Sequence, residues 1–272
     1  MAIVTPSVRG WRSTGVSGVG QQDRVVMSVT VTFAGCGDAF GSGGRLNTCI
    51  IVDTPDMRFA MDFGASSLVA LNRIGIDHNT IETIVITHLH GDHAGGVPFM
   101  LMDAMLGARR QEPLTIIGPL GTERWVEQAT AALFPGSGSM KRRFTVDFVE
   151  LPDTATHRHR QLAIETMPAV HTPETLPTSV RLNIAGKTIS YTGDGEWNPR
   201  MPALADGADL LIMECYAYGK PVKFHLNYPD IEANRGALNA KRIVLTHMGP
   251  DMLAAADHVR EETAYDGMVI TL

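Results

Sequence analysis

The sequence predicts an α/β fold: a sandwich in which helices cover the outer faces of two β-sheets. Three observations predict it. Short apolar runs of strand length recur through both halves of the 272 residues. Stretches of helical length close each half. No strict repeat and no low-complexity linker divides the chain, so the halves are expected to pack as one sandwich.

In chain order, Val25–Phe33 alternates well enough for a strand and runs into a Gly-rich turn, Gly35–Gly44. Cys49–Asp53 and Arg58–Asp62 are two β runs separated by the turn residues Thr54-Pro55-Asp56. Ser66–Ile74 reads as a helix and Thr83–Thr87 as a short buried strand. Val97–Ala108, rich in Met and Leu, is a helix, Leu114–Ile117 a strand and Thr122–Leu133 a helix. In the second half Phe144–Leu151, Leu162–Val170, Ser179–Ile184, Thr188–Thr192 and Asp209–Cys215 are expected strands. Pro229–Asn239 is an expected helix, Arg242–Thr246 a strand and Asp251–Glu262 a helix. The basic stretch His157-Arg158-His159-Arg160 reads as a solvated loop.

Hydrophobic residues make up 44% and charged residues 19%, enough apolar material for a substantial core. A net charge of −6 leaves no overall basic footprint, so a nucleic-acid role would need a local patch. Cys36, Cys49 and Cys215 are widely spaced and form no C-x-x-C pair. That argues against a disulfide framework or a cysteine zinc site, and for reduced thiols in a cytoplasmic protein. No segment approaches the roughly 18 apolar residues of a membrane span. Residues 1–24 lack an apolar signal core and read as a loosely ordered arm ahead of one domain over 25–272.

The chemistry concentrates in His88-Leu89-His90-Gly91-Asp92-His93, three imidazoles and a carboxylate within six residues. The segment follows the Thr83–Thr87 strand and precedes the small residues Ala94-Gly95-Gly96. His171 ends the Leu162–Val170 strand, Asp194 lies between two glycines after Thr188–Thr192, and His247 follows Arg242–Thr246. Loops at strand ends are where a rigid scaffold presents its chemistry. Taken singly, His171 or His247 reads as a core or surface histidine and Asp194 as a turn residue. Their order and their shared placement at strand ends argue for a site. Neutral imidazole and carboxylate suit zinc or a similar divalent metal. Five His and two Asp exceed one tetrahedral ion and suit two ions with a bridging carboxylate.

With these motifs in this order, the chain from about Val25 onward resembles the metallo-β-lactamase superfamily. The resemblance implies a four-layer αβ/βα sandwich with the site at one edge of the two sheets. It implies that His88, His90 and His171 hold one metal, that Asp92, His93 and His247 hold a second, and that Asp194 bridges them. Asp62, in Met61-Asp62-Phe63-Gly64, is similar to an aspartate of that superfamily that orients a ligating imidazole. An ordinary strand-end turn is the equal alternative.

Further segments resemble the ribonuclease Z and phosphodiesterase branch: Gly37-Asp38-Ala39, the histidine motif itself, Ile117-Gly118-Pro119-Leu120-Gly121-Thr122, and Glu214-Cys215 followed by His225-Leu226. This implies a hydrolase with two divalent ions, zinc first and manganese or iron as alternatives. The metals would activate a water for attack on phosphorus or a carbonyl carbon. Asp92 would orient that water, and His225 would protonate the leaving oxygen as general acid; a structural or surface histidine is the other reading of His225. One departure matters. Many ribonuclease Z proteins carry a long tRNA-gripping arm between the equivalents of His171 and Asp194, and here only 22 residues lie between them. This speaks against transfer RNA and for a smaller phosphodiester, with another ester, a thioester or a lactone as alternatives. A non-catalytic metal-binding or regulatory protein is the contrasting class. The Gly-rich turn departs from a dinucleotide fingerprint and is expected at the site rim, with Arg45 or Asn47 against substrate. The Met-rich helix is expected in the core, with a homodimer interface as its other use.

Overall fold

The computed structural model describes residues 28–272; the expected arm at 1–24 lies outside them. The strands are β1 (Thr30–Gly35), β2 (Cys49–Asp53), β3 (Arg58–Met61), β4 (Thr83–Val85), β5 (Leu114–Pro119), β6 (Val146–Leu151), β7 (Ala155–His159), β8 (Leu162–Pro168), β9 (Thr178–Ile184), β10 (Lys187–Tyr191), β11 (Leu210–Glu214), β12 (Ile243–Thr246), β13 (Glu262–Thr263) and β14 (Met268–Thr271). The helices are α1 (Ser67–Ile74), α2 (Gly91–Ala94), α3 (Val97–Leu106), α4 (Thr122–Leu133), α5 (Met201–Ala205), α6 (Tyr228–Asn234) and α7 (Pro250–Ala254).

The strands form two seven-stranded sheets, ordered β14-β1-β2-β3-β4-β5-β6 and β13-β12-β11-β10-β9-β8-β7. Period-two alternation sorts their side chains into layers. Val31, Phe33, Ile50, Val52, Phe59, Met61 and Val85 point between the sheets, against Ile164, Val180, Leu182, Leu210, Ile212 and Val244. Their neighbours Ala34, Cys49, Ile51, Ala60 and Ile84 point outward and pack under α1, α3 and α4. On the far side Leu211, Met213 and Leu245 pack under α5, α6 and α7. These strands therefore read as continuous apolar runs, because helices cover what would otherwise be wet faces. The result is the expected four-layer αβ/βα sandwich.

Pairing also fixes direction. β3 and β4 run parallel, as do β10, β11 and β12. β8 is antiparallel to β9, which is antiparallel to β10, so β8 shares the direction of β10. Side chains just past β3, β4, β8, β10, β11 and β12 thus sit at the carboxyl ends of strands that run together within each sheet.

Several sequence expectations shift. His157–Arg160 is not a loop: residues 155–159 form the edge strand β7, paired antiparallel with β8. The helix expected over Asp251–Glu262 stops at Ala254, passes through a 3-10 turn at Ala256–His258, and Glu262–Thr263 joins β12 as a strand. The helix expected to Asn239 ends at Asn234 and continues as a 3-10 turn, Arg235–Ala237. β14, not expected at all, pairs with β1. The first strand is described from Thr30 to Gly35, two residues beyond its expected end; Val25–Met27 lie outside the described residues. The Met-rich helix is largely core, with Met100, Leu101, Met102 and Ala104 buried.

Candidate metal centre

The histidine motif leaves β4 and turns at once into the short helix α2, with His90 as its N-cap and Asp92 and His93 in its single turn. Small residues permit the approach. A Cβ on Gly64 would lie 2.1 Å from the Asp92 carbonyl oxygen, and one on Gly96 would lie 2.2 Å from the Gly64 oxygen. The loop after β3 and the loop carrying the motif therefore interlock backbone to backbone. The remaining candidates arrive from the second sheet: His171 after β8, Asp194 after β10 and His247 after β12. His247 takes a left-handed φ of 56°, held there as its amide donates to the Cys36 carbonyl at 3.0 Å.

Seven residues named from sequence come together. His90 Nδ1 lies 3.2 Å from His88 Nε2 and 3.1 Å from His171 Nε2. Asp92 Oδ2 lies 3.3 Å from His93 Nε2 and 3.1 Å from His247 Nε2. Asp194 presents Oδ1 to His93 Nε2 and Oδ2 to His247 Nε2, each at 3.3 Å. These fall into two donor groups, His88–His90–His171 and Asp92–His93–Asp194–His247. An ion with ligands at about 2.0–2.1 Å in tetrahedral array has donor–donor edges near 3.3–3.4 Å. The spacing fits that, and three converging imidazole nitrogens have no better use for their lone pairs. His93 Nε2 and Asp194 Oδ1 are buried without a hydrogen-bond partner, which is costly unless something else engages them. Asp194 belongs to the second group; toward the first it acts through charge.

Electrostatics divide the two groups. Burial holds His88, His90 and His171 below the ordinary histidine value, so they are neutral imidazoles, the ligand form. Burial also pulls on His93 and His247, but the carboxylates win. Asp194, Asp92 and Asp62 raise His93, while Asp194, Asp92 and Glu214 raise His247 to about 9. Burial opposes ionisation of Asp92 and Asp194, yet the facing imidazoles hold both well below the usual carboxylate range.

The nitrogens turned away from the centre are held too. His93 Nδ1 meets Asp62 Oδ2 at 2.7 Å, and His171 Nδ1 donates to the Phe224 carbonyl at 2.6 Å. Asp62 is fully buried and accepts from the Thr87 amide at 2.8 Å and from the Thr87 hydroxyl. Its φ of 55° is also that of a strand-end turn residue, so the geometry accommodates either sequence reading.

His225 lies half-buried beside this cluster. Its Nδ1 bonds the buried Glu214 carboxylate, and its ring stacks on Tyr216 at 4.6 Å. Burial disfavours its cation, but the bond and charge of Glu214 raise its pKa overall. Burial and the neighbouring Asp194 raise Glu214. Its other oxygen accepts from the Gly195 and Leu226 amides at 2.7 and 3.0 Å. Sequence reasoning quoted Glu214 within a motif and gave it no role. The signal was there: a carboxylate ending the wholly buried run Leu210–Met213 must find partners. Tyr216 carried no such signal. Arg45 and Asn47 are engaged by the fold: the Arg45 guanidinium donates to the Ala264 carbonyl, and the Asn47 amide bridges the Asp38 carbonyl and Ser66.

The fold and this edge cluster define a protein of the metallo-β-lactamase type. A family model described as anti-Pycsar protein Apyc1 matches residues 29–266. Ribonuclease Z of Lachnoclostridium phytofermentans is 32% identical over 274 aligned positions, covering 80% of this chain and 86% of that protein. Four other ribonuclease Z sequences are matched over only 30% to 68% of their own length. Among solved structures, the metallo-β-lactamase fold protein YhfI from Bacillus subtilis superposes with a TM-score of 0.73 at 18% identity, covering 90% of this chain and all of that one. The short form of human tRNase Z gives 0.73 at 23% identity, covering 89% and 98%. The chain belongs to the anti-Pycsar protein Apyc1 family, on the ribonuclease Z and phosphodiesterase branch of the metallo-β-lactamase superfamily.

Proposed function

We propose that the protein is a metal-dependent hydrolase of small phosphodiesters with a dinuclear centre. The observation that carries the reading is the pair of adjoining donor groups, His88–His90–His171 and Asp92–His93–Asp194–His247, spaced at 3.1–3.3 Å on one edge of the sandwich. Asp194, a member of the second group that acts on the first through its charge, would bridge the two ions. Two divalent ions held there, zinc by donor chemistry with manganese or iron as alternatives, would lower the pKa of a water and offset charge on the reacting ester. Asp92, on the half-buried side of the cluster, orients the attacking water. His225 carries the proton for the leaving oxygen, and Glu214 fixes its tautomer and raises its proton affinity.

Small substrates are favoured by what fills the 22 residues between His171 and Asp194. They form a 3-10 turn at Pro173–Thr175 and the tight hairpin β9–β10, which leaves no length for a gripping arm. The net charge of −6 gives no overall basic footprint for a nucleic-acid chain. The test is turnover of bis(p-nitrophenyl) phosphate, cyclic nucleotides, a thioester and a lactone by the metal-loaded protein. Hydrolysis of the phosphodiesters is expected. Turnover confined to the thioester or lactone would move the assignment to that ester class. Silence across the panel would leave a non-catalytic metal-binding protein.

A further inference from the structure

A cavity of about 390 Å³ adjoins the centre on the His171 side. It lies between the loop after β5, the β6–β7 connection and the 168–177 segment. Five of its lining residues are prolines: Pro119, Pro152, Pro168, Pro173 and Pro177. Leu120 and Leu176, 52% and 46% exposed, stand at its lip. Among the described residues no Lys or Arg lines it, and the charged side chain there is the Asp153 carboxylate.

The walls are fixed before anything binds. Proline locks φ, and the 173–176 turn is tied down by the Leu176 amide donating to the Pro173 carbonyl at 3.1 Å and by the Thr175 hydroxyl donating to Thr172 at 2.7 Å. The Leu89 amide, inside the histidine motif, donates to the Thr175 carbonyl at 3.1 Å, so cleft and metal cluster share a frame. Leu176 is held at φ 52°, a conformation that costs a branched L residue about 1–2 kcal/mol. The turn therefore pays strain to present an apolar side chain to solvent at the lip of a cavity, where burial in the core would be the ordinary outcome.

We infer that this proline-walled cleft is a substrate subsite that receives an uncharged, aryl- or nucleoside-sized ester arm of the phosphodiester, with the phosphate at the metal cluster. The inference rests on the proposed hydrolytic reading and sharpens its substrate class. The volume lies at the small end of ligand pockets. A preformed apolar wall gives affinity without an ordering cost. Asp153, with no Lys or Arg beside it among the described lining residues, turns away a second phosphate, which disfavours a polynucleotide chain running through the cleft.

The test is isothermal titration of the zinc-loaded protein with diphenyl phosphate and with dimethyl phosphate, beside turnover of bis(p-nitrophenyl) phosphate. Leu176→Gly is the informative variant, because glycine accepts the left-handed backbone and the fold is not put at risk. Leu120→Ser is the second. The diphenyl ester should bind at least about tenfold more tightly than the dimethyl ester, the discrimination expected of an apolar pocket. Both variants should reduce that ratio several-fold. Equal binding of the two esters, or a ratio unmoved by both variants, overturns the cleft while turnover leaves the hydrolase standing. Absence of turnover on any phosphodiester overturns the hydrolase and, with it, the cleft as a substrate subsite.

Discussion

Asp62→Asn isolates one carboxylate that touches no proposed ligand atom facing the centre, yet holds His93 from behind. The residue is fully buried at φ 55°, a conformation that Asp and Asn both tolerate, so the backbone is unaffected. An amide oxygen can still accept from the Thr87 amide and hydroxyl. What is lost is the charge-assisted bond at 2.7 Å from His93 Nδ1. Bonds to charged groups contribute about 1.5–3 kcal/mol against about 1 for neutral ones, so the metal-free fold should lose about 1–2 kcal/mol. The larger effect is on metal. Removing the partner that fixes a ligating imidazole typically costs 10–100-fold in affinity. That loss should fall on the Asp92–His93–Asp194–His247 group and spare His88–His90–His171. Chelator-competition titration should therefore show one zinc equivalent weakened about 10–100-fold and the other within about threefold of wild type. Unchanged affinity for both equivalents, or equal loss from both, would refute the reasoning.

Three other outcomes are expected. His225→Ala should lower turnover by about 10²–10⁴-fold while zinc content by atomic absorption stays near wild type; parallel loss of both would remove its role as acid. Gly64→Ala should cost about 2 kcal/mol or more in urea denaturation, since its Cβ would lie 2.1 Å from the Asp92 oxygen; wild-type stability would contradict that close approach. The third concerns pH in the metal-free protein. His93 and His247 have folded pKa values above their unfolded ones, His247 at about 9, so their contribution is complete below about 6.5 and is lost as pH rises through about 9. Burial pushes the Cys36 and Cys49 thiols up to about 12, which removes stability in the same direction at higher pH. The urea midpoint without metal should thus fall between pH 6.5 and 9, and zinc should abolish the fall because ligation releases those protons. A metal-free midpoint that rises over this window would count against the carboxylate–imidazole arrangement.

How much was legible in the sequence follows from which contacts are local. The histidine motif could be read directly because four candidates lie within one loop and helix turn. His171, Asp194 and His247 could be read because each ends an apolar run, and apolar runs mark strands. β7 was missed because Ala155-Thr156-His157-Arg158-His159 has no apolar face; only pairing with β8 makes it a strand. β14 was missed although Met268-Val269-Ile270-Thr271 alternates buried and exposed as a strand does; the run is only four residues long and its partner β1 lies more than 200 residues away. The helix expected at Asp251–Glu262 ends at Ala254 and gives way to a 3-10 turn at Ala256–His258; only at the far end of the expected span does pairing with β12 claim Glu262 and Thr263. Glu214 went without a role because its partners, the Gly195 and Leu226 amides and His225, are assembled only by the fold.

The candidate ligands are divided between the sheets, four from the loop after β4 and three from strand ends of the second sheet. A ribosome-bound chain therefore displays the first four long before their counterparts exist. On the proposed reading each donor group draws on both halves, and occupancy would record whether the two halves have docked. On the proposed reading, zinc in this molecule is a rivet as well as a reagent. A cell short of metal would lose the fastening between the sheets along with the chemistry, and would be left with a sandwich more easily prised open along the edge where substrate enters.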